Sequence, residues 1–329
     1  MHTPQLNATE TSLNYAQSVL KGELIAGNYV KLACKRFLDD IEHAQEKGIR
    51  WDAQAAQRKV NFFGTLKHWK GRTDGFRLLP WEVFIVANLF GWKKLSDGYR
   101  RFREAYIEVA RKNGKSHLAA GIGLEMTIDD NEPGAEVVSA ACSRDQAYEV
   151  FKPAKMMASG SSFLAREGVN VQRAAINVLK TNSMFIPVSS EAKNLEGKNI
   201  RCAIIDELHR HPDDTVYNVL TKSTVSRNQP LVLSITTAGV YNPECICWIC
   251  REYATKTLEG VLKVDSLFAY IATLDKDDDW TDEKNWYKAN PSLGEALRIE
   301  DLRPGAARAK ESPSQLNDFK TKHLNIWTE

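Results

Sequence analysis

Between Val109 and Ser116 the chain reads VARKNGKS, directly after the apolar run EAYIEVA and directly before the helical run SHLAAGIGLEM. A strand, a short basic loop and a helix in that order are the setting of a phosphate-binding loop, usually written G-x-x-x-x-G-K-[ST]. Val109 stands where the first glycine is usual, while Gly114, Lys115 and Ser116 are in place. The mechanism shows why that departure is tolerable. Successive amides of Arg111, Lys112, Asn113 and Gly114, with the helix N-terminus, can wrap a β-phosphate. Lys115 then bridges the β- and γ-phosphates, and the Ser116 hydroxyl reaches Mg²⁺.

Such a loop demands a parallel sheet behind it, and the sequence supplies one. After Arg100, short apolar runs alternate with helical segments, the signature of βαβ units. Expected strands are Glu104 to Ala110, Ala135 to Cys142, Arg201 to Asp206, Pro230 to Ala238 and Ser266 to Leu274. The stretch AINVLKTNSMFIPVS reads as two antiparallel strands joined at Thr181 to Ser183, inserted before RCAIID. Upstream, residues 12–90 carry helix-period patterns, with Pro80 at a first helical position and no strong strand run.

The RCAIID strand ends in Asp206-Glu207, the pattern of a Walker B strand. There Asp206 would hold Mg²⁺ and Glu207 would orient and deprotonate an attacking water. A helix N-cap is the plainer reading of the same pair, and Asp206 can serve both. Ser234-Ile235-Thr236-Thr237-Ala238-Gly239 ends a later strand with hydroxyls that could sense a γ-phosphate or serve only as turn residues.

Composition sets the remaining bounds. With 44 basic and 42 acidic residues the net charge is +2, so any nucleic-acid site is a local patch rather than a chain-wide field. Between Lys93 and Lys115 there are eight Lys or Arg against three Asp or Glu, with aromatics interleaved, a modest polyanion cue. No run approaches the roughly 20 apolar residues of a membrane helix, and a cytosolic protein is expected. The six cysteines are too sparse for a disulfide framework. Cys245, Cys247 and Cys250 are spaced i, i+2, i+5 in a helical context and do not share one face, which reads as packing rather than zinc. The acidic run from Asp275 to Glu283 reads as a solvated loop.

Taken together, VARKNGKS, IIDELHRHPD and SITTAG, with LLPWEVFIVANLFGW before them, WYKANPSLG after them and GELIAGNYVKLACKRFLDDIE near the N-terminus, resemble the large terminase subunit of tailed bacteriophages. That resemblance implies a P-loop NTPase of the additional-strand type: a mostly parallel sheet flanked by helices, with a helical N-terminal lead-in and a small helical C-terminal subdomain. Its divisions would be a lead-in over 1–78, an ATPase core over 79–275 and a helical lid or linker over 276–329. It implies an ATP- and Mg²⁺-dependent motor that moves double-stranded DNA into a procapsid. Its partners would be the portal protein and the small terminase subunit, in a homo-oligomeric ring in the host cytoplasm.

By motif match, Glu207, Lys115 and Arg111 would be catalytic. Residues 111 to 116, Trp81 and Glu82 would bind ATP, Ser116 and Asp206 would hold the metal, and Thr236 and Thr237 would couple hydrolysis to movement. At Glu82 a Gln is common in the family. Some branches carry a trans-acting Arg ten residues before the Walker B Asp; here that position is Glu196, which leaves Arg201 and Arg227 as arginine-finger candidates. Full-length members also carry a C-terminal nuclease. No strand-borne carboxylate set follows Trp327, so the chain is expected to lack that domain and not to cleave DNA by itself. The rival readings are a helicase-like translocase, for which the remaining ~50 residues are too few to make a second lobe, and a non-catalytic nucleotide-binding scaffold.

Overall fold

The computed structural model describes residues 3–68, 75–128, 132–141, 143–188 and 198–328. Twelve α-helices and ten strands are found among them. The N-terminal part holds α1 (Ala8–Lys21), α2 (Asn28–Glu42), α3 (Ala53–Phe63) and α4 (Pro80–Gly91). Their ends follow from local chemistry. The Asn7 side chain accepts from the Glu10 amide, Gly22 closes α1 with a left-handed φ of 76°, and Asp52 accepts from the Ala55 amide to open α3. Pro80 occupies the first turn of α4, where no amide donor is needed, and Glu82 reaches back to the Leu79 amide at 2.8 Å. One feature here escapes any periodicity argument: β1 (Ile49–Trp51) and β2 (Trp92–Lys94) form a separate antiparallel pair of three-residue strands.

The main sheet has eight strands: β3 (Glu104–Glu108), β4 (Glu136–Ala140), β5 (Val169–Val171), β6 (Ile176–Val178), β7 (Ser183–Val188), β8 (Ile200–Asp206), β9 (Leu231–Thr236) and β10 (Leu267–Ile271). They lie side by side in the order β10-β3-β9-β8-β4-β7-β6-β5. From β10 through β7 every pairing is parallel, and β6 and β5 add an antiparallel edge. All five strands expected from the apolar runs are present, each end within three residues of the expected one. The expected antiparallel pair is β6 and β7, but β7 also pairs in parallel with β4, so the insertion extends the main sheet. The strand β9 lies between β3 and β8, the placement that defines the additional-strand arrangement.

Helices cover both faces, as a parallel sheet requires. On one side α5 (Lys115–Ile128), α6 (Arg144–Ser159) and the N-terminal helices share an apolar cluster running from Ala8 to Ala272. Close approach there depends on Gly121, where a Cβ would come within 2.2 Å of the Phe63 ring. On the other side α8 (Thr215–Ser223) and α9 (Ile246–Leu258) pack with Ala33 of α2 on the outward residues of β3, β4, β8, β9 and β10. A short α7 (Ser162–Arg166) follows α6. The C-terminal helices α10 (Glu283–Ala289), α11 (Ile299–Glu311) and α12 (Pro313–His323) have their own core around Trp286 and Phe319, which reaches Ala110 of the phosphate loop. No helix among the described residues is long and apolar enough to cross a membrane.

Candidate functional site: a phosphate loop facing two carboxylates

Because β3, β8 and β9 run parallel, their carboxyl ends bring three distant loops to one edge, where ligands bind in open α/β sheets. Val109 to Ser116 follows β3, Asp206-Glu207 closes β8 and Thr236-Thr237 closes β9. A cleft of about 1630 Å³ opens there, lined by residues 111 to 117, Asp206, Glu207 and Arg210, with Leu79 and Glu82 alongside.

The loop itself is shaped for an anion. The amides of Val109, Ala110 and Arg111 are used up on Thr236 O, Ala289 O and Lys322 O. Among the described hydrogen bonds, those of Lys112 to Ser116 have no acceptor, so a run of donors is left for the cleft. Lys112 and Gly114 take left-handed φ values of 69° and 88°, which give the loop its curl. Lys115 is buried and its Nζ donates to Val109 O at 2.8 Å and Ala110 O at 3.0 Å. Burial lowers its pKa against the opposing pull of Glu207 and Asp206. An ammonium with only carbonyls for partners is the group that a phosphate would relieve.

Opposite, Asp206 is buried and its Oδ1 accepts from the Glu207 amide at 2.9 Å. Burial, then the Glu207 charge, push its pKa up. Ser116 and Asp206 both line the cleft, a hydroxyl and a carboxylate of the oxygen-donor kind that Mg²⁺ takes while keeping several waters.

Glu207 has φ 49° and ψ 46°, a left-handed conformation that costs a non-glycine residue about 1 kcal/mol. Its amide is pinned by Ile235 O at 3.0 Å, which aims the side chain at the cleft. Its Oε2 lies 3.3 Å from His209 Nε2, 3.7 Å from Arg210 Nε and 3.9 Å from Arg111 Nη2. The other ring nitrogen, His209 Nδ1, is 3.0 Å from Thr236 Oγ1. Burial holds His209 down to about 4, so the ring is neutral near pH 7. The Thr236 hydroxyl donates to Thr237 O at 3.0 Å, so the proton between His209 and Thr236 sits on Nδ1, and Nε2 lies beside Glu207 Oε2 without a hydrogen bond. His209 thus ties the turn that carries Glu207 to the end of β9. In the sequence its spacing two residues after Glu207, inside IIDELHRHPD, is the one signal of this contact. Thr237 Oγ1 is buried with no hydrogen-bond partner.

Several expectations do not survive. Trp81 is not in the cleft wall: it is buried, stacks on Tyr270 at 5.9 Å and donates from Nε1 to Ser292 Oγ. Its neighbour Glu82 does line the cleft, close over Gly114, and burial pushes its carboxyl up to about 8. At neutral pH it is a protonated acid, closer to Gln than the one-letter change implies. Arg201 is wholly buried at the amino end of β8 in an ion pair with Glu132, which also takes Arg227 at 3.2 Å. Neither guanidinium is presented to a neighbouring molecule, because each is spent within its own chain. Glu196 lies outside the described residues. The basic run also fails as a surface patch, since Arg100 and Arg101 are buried and Arg101 pairs with Asp40 at 2.6 Å. Among the described residues no group of three or more His, Cys, Asp or Glu gathers as a metal site; Cys247 is buried in packing against β9.

With this geometry in place, comparison with known proteins is decisive. Residues 80–255, more than half of the chain, match the ATPase domain of the terminase large subunit. The chain belongs to the terminase large-subunit family. Residues 262–329 match the endonuclease domain of the same family. That match overturns the expectation of a chain without nuclease-domain sequence, and with it the reading of 276–329 as a linker toward a missing domain. The matched segment begins before β10, a strand of the main sheet, whereas the expectation rested on the residues that follow Trp327.

The chain is 42% identical over 160 residues to protein YmfN of Escherichia coli strain K12, across 49% of this chain and 34% of that one. It is 30% identical over 227 residues to the terminase large subunit of Enterobacteria phage HK97, across 67% and 44%. The crystal structure of the HK97 large terminase superposes with a TM-score of 0.71 at 25% identity, covering 83% of this chain and 55% of that one. The ATPase domain of the Thermus phage P74-26 large terminase shares the fold at a TM-score of 0.50 and 16% identity, over 70% and 92%. The chain spans less than half the length of the curated relatives it matches.

Proposed function

We propose that this terminase-family chain hydrolyses ATP with Mg²⁺ and, with its relatives' role, drives double-stranded DNA into a viral procapsid. The observation that carries the reading is the convergence of Lys115, Ser116, Asp206 and Glu207 on one cleft at the carboxyl edge of the sheet. In this scheme the amides of Lys112 to Ser116 hold the β-phosphate, and Lys115 leaves its carbonyl partners to lie between the β- and γ-phosphates. Ser116 and Asp206 hold the metal, which when bound neutralises charge building on the phosphate oxygens. Glu207 orients the attacking water and accepts its proton, with its backbone held on Ile235 O and its turn tied to Thr236 by His209. Arg111, 3.9 Å from Glu207, meets the γ-phosphate in this scheme.

The link from His209 to Thr236 offers a route by which loss of the γ-phosphate reaches β9, the coupling role proposed for Thr236 and Thr237. Portal protein, small subunit and a ring of copies in the host cytoplasm are the proposed setting. The test is ATP hydrolysis at rising protein concentration, with and without double-stranded DNA. The reading expects turnover that rises faster than linearly with protein and increases with DNA. A rate that is linear in protein and indifferent to DNA would leave a nucleotide hydrolase without the motor role.

A further inference from the structure

The phosphate loop is gripped from behind by three buried polar side chains that the scheme above leaves unused as a group. Asn113 is buried within the loop, and Asn290 and Ser292 are fully buried just after α10, in the WYKANPSLG run. Asn113 Nδ2 donates to Asn290 Oδ1 at 2.8 Å and to Ala110 O at 3.1 Å. Ser292 returns two bonds: its amide donates to Asn113 Oδ1 at 3.1 Å and its Oγ to Asn113 O at 3.2 Å. Asn290 Nδ2 is anchored on Trp286 O and His323 O, at 2.9 and 2.8 Å. Trp81 Nε1 completes the chain by donating to Ser292 Oγ.

Apolar residues could pack α10 against the loop as well as this network does, because buried neutral hydrogen bonds add little net stability over apolar contacts of the same shape. What a satisfied polar network adds is one geometry. Asn113 sits between the two left-handed residues of the loop, Lys112 and Gly114, a conformation that persists only where its surroundings over-determine it. We infer that Asn290 and Ser292 are positioning residues for nucleotide binding: acting through Asn113, they hold the phosphate loop in the curl that turns its free amides to the cleft. The segment between β10 and α11 is then a part of the nucleotide site, and Trp81 contributes to it from the core rather than by touching a base. The inference rests on the nucleotide reading proposed above.

The test is equilibrium binding of a fluorescent ATP analogue with Mg²⁺ to the full chain, together with the single-turnover rate of bound ATP and the melting temperature. The variants are Lys115→Ala, Asn113→Ala, Asn290→Ala and the double variant Asn113→Ala with Asn290→Ala. Each Asn variant is expected to weaken binding roughly tenfold, with the rate of the bound nucleotide changed less than threefold, since Glu207 is untouched. The double variant is expected to bind no more weakly than the weaker single one, because both lose the same loop geometry. Affinity unchanged in the folded protein, with only the melting temperature lowered, overturns the inference, as does a double variant whose losses simply add. If the wild type binds and only Lys115→Ala does not, the nucleotide reading stands and this inference falls. If the wild type itself fails to bind, both fall.

Discussion

The two ends of the main sheet use charge in opposite ways. At the amino ends of the strands, Arg101 sits between Asp40 and Asp265 with four hydrogen bonds of 2.6 to 3.2 Å, and Arg201 and Arg227 share Glu132. Every one of those guanidinium groups has a carboxylate of its own chain. At the carboxyl ends, Lys115 has carbonyls, Asp206 has a backbone amide and Glu207 is held in a left-handed turn. Charges matched at home hold structure; charges left mismatched in a cleft wait for a ligand. The comparison also explains why a run of eight basic residues misleads: the sequence counts charges, and only the fold says which are spent.

The contrast makes predictions that can break it, taken from the largest effect down. Lys115→Ala should lower hydrolysis at least a thousandfold, about 4 kcal/mol of transition-state stabilisation. It should leave the melting temperature level or higher, because a buried ammonium without a carboxylate partner is removed; calorimetry alongside the rate assay checks both. At the other end, Asp40→Ala should cost about 2 kcal/mol of stability by removing two of the four hydrogen bonds of Arg101, read as a lower denaturant midpoint. The affinity of the folded fraction for nucleotide should not move. A loss of affinity there would merge the two regions that the account keeps apart.

Smaller effects sharpen the picture. Glu82 keeps its proton up to about 8 in the fold, against an ordinary value of 4.5. Between those values the folded state holds a proton that the unfolded chain has released, so stability must fall as pH rises through that window. Glu82→Gln should abolish that slope and raise stability at pH 8 by about 1–3 kcal/mol, measured by thermal melts across pH 5 to 9. His209→Ala should slow hydrolysis about fivefold, near 1 kcal/mol, with nucleotide affinity retained, because the turn that carries Glu207 loses its tie to Thr236.

What could be read in advance divides along the same physical line. Strands β3, β4, β8, β9 and β10 were legible because a parallel strand covered on both faces is a short unbroken apolar run between turns. The pair β1 with β2 and the edge strand β5 were not, since three residues are too few for a period to register, and the equally short β6 was readable only through the turn that joins it to β7. Lys115, Ser116, Asp206 and Glu207 were legible because local motifs place them at strand ends. The roles of Asn290 and Ser292 were hidden, since they meet Asn113 only after folding brings together residues 177 and 179 positions apart. Trp81 and Glu82 are assigned to the nucleotide together by motif match, but neighbours on an α-helix point about 100° apart, which turns Glu82 to the cleft and Trp81 into the core.

The central claim is that Glu207 performs the hydrolytic step at a site whose binding elements are independent of it. The most direct measurement is Glu207→Gln examined for nucleotide affinity and for single-turnover hydrolysis in the same preparation, with Mg²⁺ and saturating ATP. The account predicts affinity within about threefold of wild type and a rate lowered by at least two orders of magnitude, the usual scale for removing a positioned general base. Hydrolysis at the wild-type rate with bound nucleotide would contradict it.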